Sequence, residues 1–191
     1  LVELIVDSVN TSEPFVYAYW DGVDRVAHEF GFTDRYFSEL TECDQMIAEL
    51  LQRLPSNVAL VVTADHGQVE VEDRMIGLTR DLNDLVSKQS GEARFRWLHA
   101  LPGMEEDLIQ ASKETFENSA WVMSQKEILE AGFLGPLVSE TVRGRLGDVA
   151  LLAREKIGFI DPAEKMPFEL ITRHGSLTKE EMHVPFLSAV T

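Results

Sequence analysis

Three short clusters concentrate imidazole and carboxylate side chains: Asp24-Arg-Val-Ala-His28, Thr63-Ala-Asp65-His66-Gly67 and Arg173-His174-Gly175. Imidazole and carboxylate are the usual protein ligands of zinc and manganese, and sites with two such ions carry out phosphoryl transfer. The chain has five histidines, and three of them lie in these clusters. Asp24 and His28 have i,i+4 spacing, so a helical turn puts both side chains on one face, able to meet one ion. Asp65 and His66 are adjacent and would diverge on a strand. In a loop just past a strand both can turn toward one ion, and Gly67 then lets the backbone approach a metal or phosphate. Each cluster alone is a weak signal, because an isolated Asp/His pair is more often a surface pair and a lone Asp-His-Gly more often a turn. The joint pattern carries the weight. His99, inside an apolar run, and His183, shortly before Pro185, read as packing or supporting residues.

Periodicity predicts the strands and helices around these clusters. Phe15-Val-Tyr-Ala-Tyr-Trp20 predicts a buried strand, ended by the turn signal Asp21-Gly22. Phe37, Leu40, Ile47, Leu50, Leu51 and Leu54 recur at helical spacing, with Thr33 as N-cap and Pro55 as the stop. Val58-Ala-Leu-Val-Val62 is a continuous apolar run of the kind found in central parallel strands, and it feeds directly into Asp65. Chemistry at the C-terminal ends of successive strands is where open α/β sheets bind ligands. Further on, Phe95–Leu101 predicts a strand, Pro102-Gly103 a turn, Met104 to about Asn118 a helix, and Ala120–Met123 a second strand. Gly132, Gly135 and Pro136 break that pattern, so residues 92–134 read as a β-α-β cap inserted into a core made of 1–91 and 135–191. Strand character resumes at Asp148–Ala153 and Ile157–Ile160. Thr178 and Glu181 have capping-box spacing, and Val184–Val190 closes the chain as a strand.

Composition bounds the rest. At 191 residues there is enough chain for one sizeable core, or for one core with a smaller appendage. A net charge of −16 argues against a surface for nucleic-acid polymers, whose phosphates it would repel. The surplus of carboxylates is ordinary for a soluble cytoplasmic protein, which is the expected location. Cys43 is the only cysteine, so there is no internal disulfide and no thiolate zinc site; it reads as a small hydrophobe on a helix. No apolar run approaches the ~20 residues of a membrane span, and Leu1–Val6 has neither the basic region nor the cleavage site of a secretory signal. The chain lacks an initiator Met and opens mid-pattern, which predicts a fragment of a longer protein.

The clusters resemble the metal-binding motifs of the alkaline phosphatase superfamily, and within it the type I phosphodiesterase/nucleotide pyrophosphatase family. Tyr19-Trp-Asp-Gly-Val-Asp24-Arg-Val-Ala-His28-Glu-Phe-Gly31 is similar to that family's Asp-x-x-x-His motif with its trailing glycine. Val61-Val-Thr-Ala-Asp65-His66-Gly67 is similar to its Ser/Thr-x-Asp-His-Gly motif. Arg173-His174-Gly through Val184-Pro185 is similar to its closing His-Gly motif and the Glu-x-x-x-Val-Pro lead into a strand.

The resemblance implies a mostly parallel central sheet flanked by helices, incomplete at its N-terminal side, with a small inserted α+β subdomain. It implies two divalent metal ions, Zn²⁺ first and Mn²⁺ as the alternative. Asp24, His28 and His174 would hold one; Asp65 and His66 would contribute to the second. A nucleophilic Thr or Ser and a further Asp belong to the family's N-terminal half and have no match here. Thr11-Ser12 lacks the flanking pattern. The expected activity is therefore that of a parent hydrolase of phosphate esters acting on a small phosphate ester or nucleotide, with this chain alone inactive. Phosphodiesterases, pyrophosphatases, phosphonate hydrolases and phosphomutases share the ligands, so the substrate stays open. Arg94, Arg96 and Trp97 could contact a phosphate or base; the better-supported reading is that they face solvent or the cap's core. A catalytically silent metal-binding module serving as an interaction domain is the alternative. A sheet edge left without its neighbour predicts self-association.

Overall fold

The computed structural model describes residues 1–11, 13–71, 74–165 and 170–191. Ser12 of the Thr11-Ser12 pair lies outside them. The chain begins with α1 (Val2–Asn10), α2 (Gly22–Phe30) and α3 (Asp34–Arg53). As the spacing predicts, α3 starts after Thr33 and stops before Pro55. Only one end of it is well covered: Leu50 and Leu54 pack with Val6 of α1, while Phe37 and Leu51 stay exposed. Cys43 sits half-buried on the same helix, and burial, with the Glu39 and Asp44 charges, pushes its thiol up.

Two expectations for this first part are corrected. Phe15–Trp20 is not a strand, and Phe15, Tyr17, Tyr19 and Trp20 are exposed. Aromatic and β-branched residues favour a pleated surface, but a strand also needs a ladder partner, and no partner among the described residues pairs with this segment. The Trp20 indole instead donates to Glu39 at 2.8 Å, tying the segment to α3. The second correction concerns the apolar run before Asp65. It forms β1 (Ala59–Thr63), but β1 pairs antiparallel with β10 (Phe186–Val190). An apolar run specifies burial, not the direction of its neighbour.

Between these lie β2 (Val69–Glu70), β3 (Met75–Ile76), α4 (Arg80–Asn83), β4 (Val86–Glu92), β5 (Phe95–Ala100), α5 (Glu105–Phe116), β6 (Ala120–Ser124) and α6 (Gln125–Glu130). Then come α7 (Glu140–Arg143), β7 (Val149–Ala153), β8 (Gly158–Phe159), β9 (Thr172–Arg173) and α8 (Lys179–Met182). The architecture is α/β. Among the described residues only β3–β8 pairs in parallel, against the mostly parallel sheet expected.

The main core surrounds an antiparallel sheet of order β4-β5-β7-β6. Every residue of β7 is buried, because side chains of both its faces are covered. Val149, Leu151 and Ala153 pack with Leu108 and Phe116 of α5; Ala150 and Leu152 pack with Trp97 and Ile128 of α6. The 92–134 segment therefore shares its sheet with residues on both sides of it: β5 and β6 each pair with β7, and β4 extends the sheet before residue 92.

Arg94 and Arg96 are fully buried, facing neither a substrate nor solvent. Arg94 bonds both carboxylate oxygens of Glu181, at 2.7 and 2.8 Å, and Arg96 bonds Glu164 at 2.6 and 3.1 Å. A guanidinium withdrawn from water needs such a partner, and both partners come from the C-terminal third of the chain. Trp97 packs in the core, as the sequence favours. Thr178 precedes α8 without capping it; its hydroxyl and the Arg94 guanidinium both bind the Glu181 carboxylate.

Candidate metal centre

Three elements bring the clusters together. Asp24 and His28 lie one turn apart on α2, with Asp24 Oδ1 3.4 Å from His28 Nε2. Helix α2 ends at Gly31, whose φ of +67° suits glycine, and whose N–H donates to Ala27 at 2.8 Å. The His28 carbonyl accepts from Ile171 N–H at 2.8 Å, which fastens the end of the helix beside β9.

Asp65 and His66 occupy the loop between β1 and β2, and His174 follows β9 directly. Strands β2 and β9 pair antiparallel, Val69 with Arg173 and Glu70 with Thr172. That short ladder sets the loop of His66 against His174. Their rings stack with centroids 3.6 Å apart and planes 13° from parallel, and the His28 ring is 5.3 Å from that of His174.

Ligand atoms of Asp24, His66 and His174 all lie within 4.8 Å of one another. This trio takes one residue from each cluster. Asp65 is more exposed, and its carboxylate stands 3.8 Å from His66 Nε2. The trio offers one carboxylate and two imidazoles, a donor set that suits Zn²⁺ or Mn²⁺. Burial foremost, then the neighbouring His66 and His28, push the His174 imidazole below its usual value, with Asp24 and Glu92 pulling the other way. Neutral imidazole is the ligating form. The Asp65 charge foremost, with burial and Asp24, raises the phenol of Tyr19, the first residue of the Asp24 motif.

A cavity of about 270 Å³ opens beside His66 and His174, with Asp65, Leu177, Met182 and Val184 among its walls. Gly67 also makes room for a neighbouring backbone. A Cβ there would stand 2.0 Å from the Glu180 carbonyl oxygen, and Gly67 N–H donates to the Glu181 carbonyl at 2.8 Å. The glycine admits the backbone of α8. His99 is outside the trio, and its Nε2 lies 2.9 Å from Ser90 Oγ.

Two supporting residues carried no signal in the sequence. Gln68 bonds Asp24, and Thr172 bonds both Gln68 and His28. Only their places beside Gly67 and Arg173 could have drawn attention to them.

The family model for type I phosphodiesterase / nucleotide pyrophosphatase matches residues 4–176. The chain belongs to that family. No curated protein sequence matches it. Among solved structures, murine ectonucleotide pyrophosphatase / phosphodiesterase 5 is similar with a TM-score of 0.72 and 20% identity, over 98% of this chain and 50% of that one. An inactive variant of that protein, solved in complex with AMP, matches equally well, with a TM-score of 0.72 and 19% identity. Phosphonoacetate hydrolase from Sinorhizobium meliloti 1021, in complex with phosphonoformate, is similar with a TM-score of 0.66 and 21% identity, over 86% of this chain and 43% of that one. The chain thus spans about half the length of these relatives, and the likeness to them is one of fold.

Proposed function

We propose that this chain is the C-terminal portion of the catalytic domain of a metal-dependent phosphate-ester hydrolase, and that Asp24, His28, His66, His174 and Asp65 hold its two divalent ions. The observation that carries the proposal is the convergence of Asp24, His66 and His174 within 4.8 Å. The motif-based division, with Asp24, His28 and His174 on one ion and Asp65 and His66 on the other, puts His66 of the second set beside Asp24 and His174 of the first, so the two ions would share one cluster, with Zn²⁺ first and Mn²⁺ as the alternative. Divalent ions bound there would stabilise the charge on the attacking, non-bridging and leaving oxygens of a phosphoryl group.

The chain's own residues prepare that site. His28 Nδ1 lies 2.8 Å from the Thr172 carbonyl; as the donor there, it leaves Nε2 as the ligating nitrogen. His174 is held toward its neutral form by burial. The substrate is a small phosphate ester or nucleotide, in keeping with the AMP and phosphonoformate bound by the relatives and with a net charge of −16 that disfavours polymeric nucleic acid. No Thr or Ser in the chain matches the family's nucleophile, so the chain by itself is expected to be inactive. The β1–β10 pair, with Val61, Phe186, Leu187 and Val190 exposed, favours self-association through its edge or face.

Equilibrium dialysis with zinc and manganese tests the metal reading. The unaltered chain should retain metal and His174→Ala should lose it. If neither binds, the metal-centre reading is wrong. If the whole protein binds metal yet leaves an activated phosphodiester intact with every ion tried, the silent-module reading replaces the hydrolase.

A further inference from the structure

Gln68 stands where two hydrogen-bond paths to the candidate ligands meet. Its amide nitrogen donates to Asp24 Oδ1 and, at 3.4 Å, to the Asp24 carbonyl. Its amide oxygen accepts from the hydroxyl of Thr172, which is fully buried. The carbonyl of the same Thr172 receives His28 Nδ1 at 2.8 Å. Both Asp24 partners are acceptors, so the amide has one workable orientation, nitrogen toward Asp24 and oxygen toward the hydroxyl. The brace is rooted in a ladder: Gln68 directly precedes β2, and Thr172 is the first residue of β9.

We propose that Gln68 is a positioning residue of the metal centre, an inference that rests on the reading of that centre as metal-binding. The terminal torsion of a carboxylate is soft, with broad rather than sharply staggered wells. A donor fixed on Oδ1 selects one plane for the Asp24 carboxylate and leaves its other lone pairs for an ion. At the far end, Gln68 steadies Thr172, whose carbonyl selects the His28 tautomer that presents Nε2. One amide therefore orders ligands on α2 from the loop that carries His66. Gln68 is not itself a ligand, because its only oxygen faces Thr172.

Zinc affinity of the purified chain, read by competition with a chromophoric chelator, tests this alongside the unfolding temperature of the metal-free protein. Gln68→Met keeps length and volume but removes both polar ends. It should weaken zinc binding about 10- to 100-fold, the usual loss for a residue that orients a ligand, with little change in metal-free unfolding temperature. Thr172→Val should weaken it less and shift the His28 ring-nitrogen resonances toward a tautomer mixture, and Thr172→Ser should restore both. If Gln68→Met folds and binds zinc as tightly as the unaltered chain, the inference is overturned. If Gln68→Met does not fold, Thr172→Val decides, and unchanged affinity there overturns the inference. If the unaltered chain binds no zinc or manganese, the metal-centre reading itself fails and takes this inference with it.

Discussion

Arg94 and Glu181, separated by 87 positions in sequence, form a doubly hydrogen-bonded ion pair with both side chains withdrawn from solvent. Glu181 also accepts Ser176 N–H at 2.9 Å through its carboxylate and Gly67 N–H at 2.8 Å through its carbonyl. Ser176 follows His174 closely and Gly67 follows His66. One residue thus braces the backbone beside both stacked histidines. Arg94, from the sheet region, holds that residue in place.

Removing one partner of a buried pair leaves an uncompensated charge. Arg94→Met should therefore destabilise the protein by about 3–5 kcal/mol. Urea denaturation at pH 7 reads this directly, and a change under about 1 kcal/mol would mean water reaches Glu181 once the arginine is gone.

Acid should act through the same pair. Burial alone would raise the Glu181 carboxyl, but hydrogen bonds from Arg94, Thr178 and Ser176 and the Arg94 charge outweigh it and hold the group below the usual carboxylate range. A depressed carboxyl contributes stability above its unfolded value of about 4.3. That contribution is lost as pH falls below this value and through the folded one. Unfolding temperature measured from pH 7 to pH 2 should fall in that acid window, and Glu181→Gln should flatten the fall. An equally steep fall in Glu181→Gln would assign the acid transition to other carboxylates.

Gly67→Ala should cost about 1–3 kcal/mol, because the added methyl meets the Glu180 carbonyl and something must shift. Since the backbone that must move carries Glu181, the variant should also weaken zinc binding. Calorimetry with and without zinc separates the two effects, and a variant as stable as the unaltered chain would show that α8 moves freely.

Bound metal should stabilise the fold by mass action, about 2.7 kcal/mol at a hundredfold excess over the dissociation constant. His174→Ala should abolish the zinc-induced rise in unfolding temperature, and His99→Ala should keep it. Loss of the rise in His99→Ala would place the ion elsewhere.

Sedimentation of the chain over a concentration series should reveal self-association, since β1 has one paired edge among the described residues and Val61 on it is 51% exposed. Val61→Lys puts a charge on that surface and should shift the equilibrium toward monomer. A chain monomeric at every concentration would remove the sheet edge from consideration.

Much of the centre is legible in the order of residues alone. Asp24 and His28 do share a helix face, His66 does sit in a loop just past a strand, and α3 runs between Thr33 and Pro55. These follow from local rules: residue type, spacing, and the residues that start and stop helices. Family membership is legible for the same reason, since the motifs are short and contiguous.

Pairing is not legible in that way. Phe15–Trp20 has strand composition without a strand, and Ala59–Thr63 pairs antiparallel although its apolar run predicts a parallel neighbour. Hydrogen-bond partners of a strand lie far off in sequence, and apolar character does not say where or in which direction. Partners of buried charges are equally remote. Nothing near Arg94 names Glu181, and nothing near Gln68 names Asp24 or Thr172. Which side chains can donate to a metal is written in residue type, because type fixes the donor atoms. The convergence of Asp24, His66 and His174 belongs to the fold, because that contact depends on the β2–β9 ladder bringing distant segments together.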